Sequence, residues 1–246
     1  MYNYLIKIEY DGTKFSGWQC QKNGITIQGK LEKALNTFFK FKVRINGAGR
    51  TDKGVHAFGQ HANFLIKKKI EGKYKFLDSM NFFLRKNLIS IIYVKEKNKE
   101  FHARHKAKER IYEYQIVNRQ GSLSIDKYKS WHIKNKIDEN LLKKGAKILE
   151  GTHDFSTFRA SSCSAKSPIK KMNSVKIKKK GDKIFIRFSS RSFLQNQVRS
   201  MVGCLKYLST GKWSLNDFKK AFKSKKRIKC APPAPACGLY LFNIRY

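Results

Sequence analysis

The chain has 246 residues, 41% of them apolar, enough to bury a core; that composition excludes a disordered basic tail. Its 54 Lys and Arg stand against 17 Asp and Glu, a formal charge of +37. A polyanion would relieve that self-repulsion by neutralising phosphates and releasing counterions, so nucleic acid is the expected partner.

In chain order, residues 4–10 alternate as a strand, with Tyr4, Ile6, Ile8 and Tyr10 on one face. Asp11-Gly12 ends it as a turn. Thr26 is suited to cap a helix in which Ile27, Leu31, Leu35 and Phe38 share a face. A short strand is expected over residues 42–46, a Gly-flanked loop over 47–54, and a strand over 56–64. A helix over 76–84 and a strand over 89–95 complete the first half.

The second half repeats this order. Residues 111–117 read as a strand with Tyr112, Tyr114 and Ile116 on one face. Residues 138–149 read as a helix stopped at Gly151. Residues 175–188 read as a hairpin turning at Gly181-Asp182. Two helices follow, over 194–208 and 215–224, and then a strand over 239–245. Each half approximates strand, helix, strand, strand, helix, strand. The expected class is α+β, with two ferredoxin-like, RRM-like domains built on antiparallel sheets. The domains are placed at residues 1–104 and 105–246. Open sheet faces of this kind suit RNA.

Part of the Lys excess fits compositional drift, but the sign of the charge survives that discount. Residues 219–229 hold seven basic side chains and no acid, and residues 166–187 hold one acid, Asp182. Neither stretch has the apolar face of a membrane-surface helix. The five cysteines are odd in number and contain no CxxC pair, so a disulfide framework or cysteine-rich zinc site is not expected. The thiols read as inert, in a reducing compartment. No basic-then-apolar leader follows Met1, and no apolar run reaches about 18 residues. The expectation is a soluble, cytoplasmic protein. His56 with His61, and His102 with His105, lack the partners of a metal site, and no phosphate-binding glycine motif occurs, so neither metal nor nucleotide cofactor is expected.

The segment GAGRTDKGVHA, residues 47–57, stands apart. Its glycines permit close approach of another backbone. In an extended loop Arg50 and Asp52 project to one side. Flanking cations favour an ionised carboxylate, which can act as nucleophile or proton acceptor without a cofactor. The plainer alternative is an Asp that merely caps a tight turn.

This run resembles the signature of the tRNA pseudouridine synthase A family. The resemblance extends in order through Tyr10-Asp11-Gly12, Phe15-Ser16-Gly17-Trp18-Gln19 and residues 27–35. It continues through Phe101-His102-Ala103-Arg104, Tyr112-Glu113-Tyr114 and Gly151-Thr152-His153-Asp154-Phe155. Phe158-Arg159, Val198-Arg199 with Val202-Gly203, and Gly238-Leu239-Tyr240-Leu241 complete it. It implies a pseudouridine synthase fold and an isomerase that converts uridine to pseudouridine at positions 38 to 40 in the anticodon stem-loop of tRNA, without cofactor. It implies a homodimer with tRNA as partner. It makes Asp52 the catalytic group, as nucleophile or base, with Arg50 and Arg199 beside it. Tyr112 and Leu239 would contact the target base, and Lys53, His56, Arg104, Phe158 and Arg159 would bind substrate. Without the resemblance, Tyr112 and Leu239 read as core. The chain departs from the family's pattern at residues 88–90 and at Arg191 with residues 195–197. One rival, a non-catalytic RNA-binding protein, carries the charge and the sheet aromatics equally well but not an aspartate in the Gly-framed loop; a third reading, a metal-dependent nuclease, needs an acidic cluster that the sequence does not show.

Overall fold

The computed structural model describes all residues, Met1–Tyr246. The chain divides into two compact units, Met1–Lys108 with Leu241–Tyr246, and Glu109–Tyr240. The division falls four residues after the expected 104/105, and residues 241–246, expected in the second half, belong to unit 1.

Unit 1 follows the connectivity β1 (Tyr2–Tyr10), α1 (Ile27–Phe39), β2 (Asn46–Gly47), β3 (His56–Ile66), α2 (Lys73–Leu84), β4 (Ile89–Lys97). β1 lies between β3 and β4 and pairs antiparallel with both, and β2 adds to β3. That is the strand order of a ferredoxin-like unit. Ile6 faces Ala62 on one side and Val94 on the other. Both faces of β1 carry apolar side chains because it is central: Tyr4, Leu5, Ile6 and Ile8 are all buried. Thr26 caps α1 by accepting the Gly29 amide at 3.2 Å. α1 packs on α2 through an aromatic cluster in which Phe76 meets Phe38 at 5.2 Å and Phe39 at 6.0 Å.

The strand expected over residues 42–46 does not form; only Asn46–Gly47 pairs. The reason is local. The Val43 amide donates to Asn36 Oδ1 at 2.6 Å and the Ile45 amide to Glu32 Oε1 at 3.1 Å. Side chains of α1 have taken the donors that a ladder needs.

Unit 2 contains β5 (Glu109–Asn118), β6 (Trp131–Ile133), α3 (Glu139–Ile148), β7 (Gly151–Asp154), β8 (Ile169–Lys180), β9 (Lys183–Ser190), α4 (Gln197–Ser209) and α5 (Leu215–Lys223). β5 pairs with β9, β9 with β8 and β8 with β7, all antiparallel. β6 runs parallel to β5, a departure from the antiparallel expectation. α3 packs on α4, α5 and β8. Gly145 makes that approach possible: a Cβ there would stand 2.5 Å from Leu208 Cδ2. Asp138 caps α3, and Ser214 with Asp217 forms a capping box on α5.

α4 begins three residues later than its apolar spacing predicts. Asn196 takes a left-handed conformation at φ 61°, and Gln197 Oε1 accepts the Leu194 amide at 2.8 Å, so residues 194–196 form a turn. β10 (Leu239–Arg245) ends the chain, and its unit 1 portion lies beside β3. The expected mixed α/β class is present in both units. No helix is long and apolar enough to cross a membrane.

Candidate active-site loop and comparisons

Residues 47–55 are held from below along their whole length. The Ala48 amide donates to the His61 carbonyl at 2.8 Å. Gln60, fully buried on β3, donates Nε2 to the Gly49 carbonyl at 2.7 Å. The Thr51 carbonyl accepts the Trp18 amide at 3.0 Å, and the Thr51 hydroxyl meets the Tyr10 hydroxyl at 2.8 Å in a buried contact. The Gly54 amide reaches the Phe15 carbonyl, and the Val55 amide closes a turn on the Asp52 carbonyl at 3.2 Å.

Two glycines permit this packing. A Cβ on Gly12 would lie 2.0 Å from the Val55 carbonyl oxygen. Gly17, at φ +104°, would put a Cβ 2.7 Å from the Thr51 carbonyl oxygen. Backbone meets backbone at both points, so neither has room for a side chain.

Arg50 and Lys53 are exposed and Asp52 is half-buried. The loop therefore presents one carboxylate between two cations on a support that leaves its backbone little freedom. His56 lies beneath it, 2% exposed. Its Nδ1 is 3.0 Å from the Gly12 amide and 3.2 Å from Asp11 Oδ1. One ring nitrogen cannot both accept and donate. The amide proton has a fixed direction and Asp11 Oδ1 already accepts from Thr13, so Nδ1 is read as the acceptor. His56 is thus placed as a strut of the loop, away from a substrate-facing position. Arg104 is exposed in the segment before β5.

In unit 2, Arg199 sits in the first turn of α4. Its Nε donates to the Ala234 carbonyl at 2.8 Å and its Nη1 to Asn196 Oδ1 at 3.2 Å, while the Ala234 amide returns a bond to the Arg199 carbonyl at 2.9 Å. Nη2 has no hydrogen-bond partner within the unit. The Arg199 charge is felt by Tyr114, whose phenol burial nonetheless pushes well above its usual value. Tyr114 donates to the Pro235 carbonyl at 2.8 Å. Tyr112, two residues earlier on β5, meets Phe193 edge-on at 5.0 Å and is 8% exposed. Leu239 is buried at the start of β10.

Phe158 and Arg159 are placed differently from what a substrate-binding role needs. The Phe158 ring is 1% exposed, enclosed by Phe222 at 5.2 Å and Phe155 at 6.1 Å, and offers no face to a nucleotide. Arg159 Nη2 donates to the Cys163 and Ala165 carbonyls at 2.6 and 2.8 Å, clasping its own loop. The resemblance implies substrate contact for both residues; within unit 2 Phe158 packs against Phe155 and Phe222, and Arg159 holds its own loop.

The supports Tyr10, Trp18 and Gln60 were not singled out as site residues on sequence. Neither was Glu113, an acid only 3% exposed, which Arg187 Nε reaches at 2.5 Å directly across from it on β9. The available signal for Glu113 was an acid inside a strand of a chain with few acids.

A family model described as tRNA pseudouridine synthase matches residues 6–106 and 146–246. The chain belongs to that family. Among its curated relatives, the tRNA pseudouridine synthase A of Pelagibacter ubique (strain HTCC1062) is 54% identical over 246 residues, covering the whole of both chains. That of Xanthobacter autotrophicus (strain ATCC BAA-1158 / Py2) is 42% identical over the whole of both. That of Maricaulis maris (strain MCS10) is 40% identical over all of this chain and 98% of the relative. The first stretch matched to the pseudouridine synthase family holds the Asp52 loop with every support named above. The second holds Phe158, Arg159, Arg199 and Leu239. Tyr112 falls between the two stretches.

Proposed function

We propose that this chain isomerises uridine to pseudouridine in tRNA, at positions 38 to 40 of the anticodon arm, with Asp52 as the catalytic group. The observation that carries the proposal is the Asp52 loop itself: a half-buried carboxylate between the exposed Arg50 and Lys53 on an anchored backbone. Family membership supports the reaction class, and the formal charge of +37 supports a polyanionic substrate.

The reaction breaks the bond from ribose C1′ to uracil N1, turns the base, and joins C1′ to C5; the C5 proton then leaves. No atom is gained or lost and no electron is transferred. An ionised carboxylate can serve by attacking C1′ or C6, or by taking the C2′ proton. Arg50, exposed two residues away, offers a cation to a phosphate that the carboxylate would otherwise repel. Arg199, fixed through Nε and Nη1, has Nη2 to offer an anion. The target base must leave its stack at a cost of a few kcal/mol. Contact with an aromatic returns about 1–3 kcal/mol, the role given to Tyr112, with Leu239 beside it. Lys53 and Arg104, both exposed, are assigned to the RNA backbone. The family resemblance also carries a homodimer and a cytoplasmic location, the first checked by light scattering of the purified chain.

The deciding experiment is Asp52→Ala, assayed by release of tritium from C5-labelled uridine in tRNA. Loss of release with tRNA binding intact is expected. Full activity in the variant removes Asp52 from the chemistry.

A further inference from the structure

Two cysteines 26 positions apart in sequence meet in unit 2. Cys204, near the middle of α4, and Cys230, just after the short turn Arg227–Lys229, have their sulfurs 3.4 Å apart. Cys204 is 1% exposed and Cys230 is partly open to solvent. The Ala231 amide donates to Cys204 Sγ at 3.3 Å, and Cys230 Sγ lies 3.9 Å from the Ser200 carbonyl. Arg227 is anchored beside them through Nη1 to Ser200 Oγ at 2.8 Å. The other three thiols have different neighbours: Cys20 lies by Thr26, Cys163 by the Gln195 amide and Cys237 by the Ser130 carbonyl.

We propose that Cys204 and Cys230 are a modification site that closes to a reversible disulfide on reaction with a hydroperoxide. The two sulfurs play unequal parts. The hydrogen bond from Cys204 holds the Cys230 thiol below its ordinary value; burial opposes this and Arg227 assists it. The same bond, with burial, pushes Cys204 up. Cys230, partly open to solvent where Cys204 is buried, is the sulfur that peroxide can reach, and Cys204 the partner that resolves it.

The Cys230 thiolate attacks the terminal peroxide oxygen, the O–O bond breaks, and the departing oxygen takes up the proton that Cys230 released. The product is a sulfenic acid. Cys204 Sγ then attacks the sulfenic sulfur, the S–O bond breaks, and hydroxide leaves with the Cys204 proton as water. Two thiols lose two electrons and two protons in total, and hydrogen peroxide becomes two waters. The sulfurs must close from 3.4 Å to about 2.05 Å. A neighbour so close outruns further oxidation of the sulfenic acid.

The location gives the bond a structural consequence. A Cβ on Gly203 would stand 2.1 Å from the Pro232 carbonyl oxygen, so α4 and residues 230–235 already touch backbone to backbone. The same segment supplies the Ala234 carbonyl that orients Arg199. A disulfide would fasten α4 to that segment.

The test treats the full chain with hydrogen peroxide, blocks remaining thiols with iodoacetamide, and maps peptides by mass spectrometry. A linked Cys204–Cys230 peptide pair lighter by two hydrogens, reversed by dithiothreitol, is expected, together with a Tm several degrees higher. Cys204→Ala should divert Cys230 to sulfinic acid, and Cys230→Ser should abolish the link. The proposal is overturned if the link joins other cysteines, or if Cys230 reaches sulfinic acid as fast in the parent as in Cys204→Ala.

Discussion

The hydroxyl groups of Tyr10 and Thr51 meet at 2.8 Å in the interior of unit 1, one residue ahead of Asp52. A contact between β1 and the loop thereby anchors the backbone beside Asp52. Tyr10→Phe leaves the buried Thr51 hydroxyl without this partner, at a cost of about 1–2 kcal/mol in urea unfolding. Activity on tRNA should fall through kcat more than through KM, because the carboxylate loses orientation while the RNA contacts remain. Tyr10→Phe combined with Thr51→Val removes both polar atoms and should cost less than the sum of the two single changes. Strictly additive losses would mean that the two hydroxyls do not cooperate.

His61 makes stability depend on pH. It is 2% exposed, its Nε2 lies 2.8 Å from the Tyr93 hydroxyl, and burial, then the charge of Lys7, lowers its pKa from 6.5 to about 4. Between those values the unfolded chain binds a proton that the folded chain refuses. Stability from this group is complete above pH 6.5 and is lost as pH falls toward 4, by up to about 3 kcal/mol. Urea midpoints measured from pH 7 down to pH 4 should decline more steeply in the parent than in His61→Gln. Parallel curves would remove His61 as the cause.

Charge sets a third expectation. With a formal +37, tRNA binding should weaken steeply as salt rises, with log K linear in log salt. Filter binding between low and physiological salt gives the slope. A flat response would mean that recognition does not rest on phosphate neutralisation.

Much of this molecule was legible in its sequence where local physics decides the outcome. The alternation of residues 4–10, the Thr26 cap and the Gly181-Asp182 turn all appear as read. The Gly-framed loop was legible because glycines mark places where backbones touch, as Gly12 and Gly17 do. The failures come where side-chain contacts or a local backbone conformation override the residue pattern. Asn36 and Glu32 captured amides that residues 42–46 needed for a strand. Asn196 broke an apolar spacing that continued smoothly into α4. Phe158, which the resemblance assigns to substrate, is enclosed by two other phenylalanines. The Cys204–Cys230 contact had no sequence signal, because a turn near Arg227 brings the two together.

The return of residues 241–246 to unit 1 bears on how the chain matures. During synthesis the strand that lies beside β3 is made only after all of unit 2. The N-terminal unit cannot complete its sheet until unit 2 has been translated, so its β3 flank must wait for residues 241–246. A chain stalled or cleaved within unit 2 would leave that flank uncovered, an edge open to pairing with other chains.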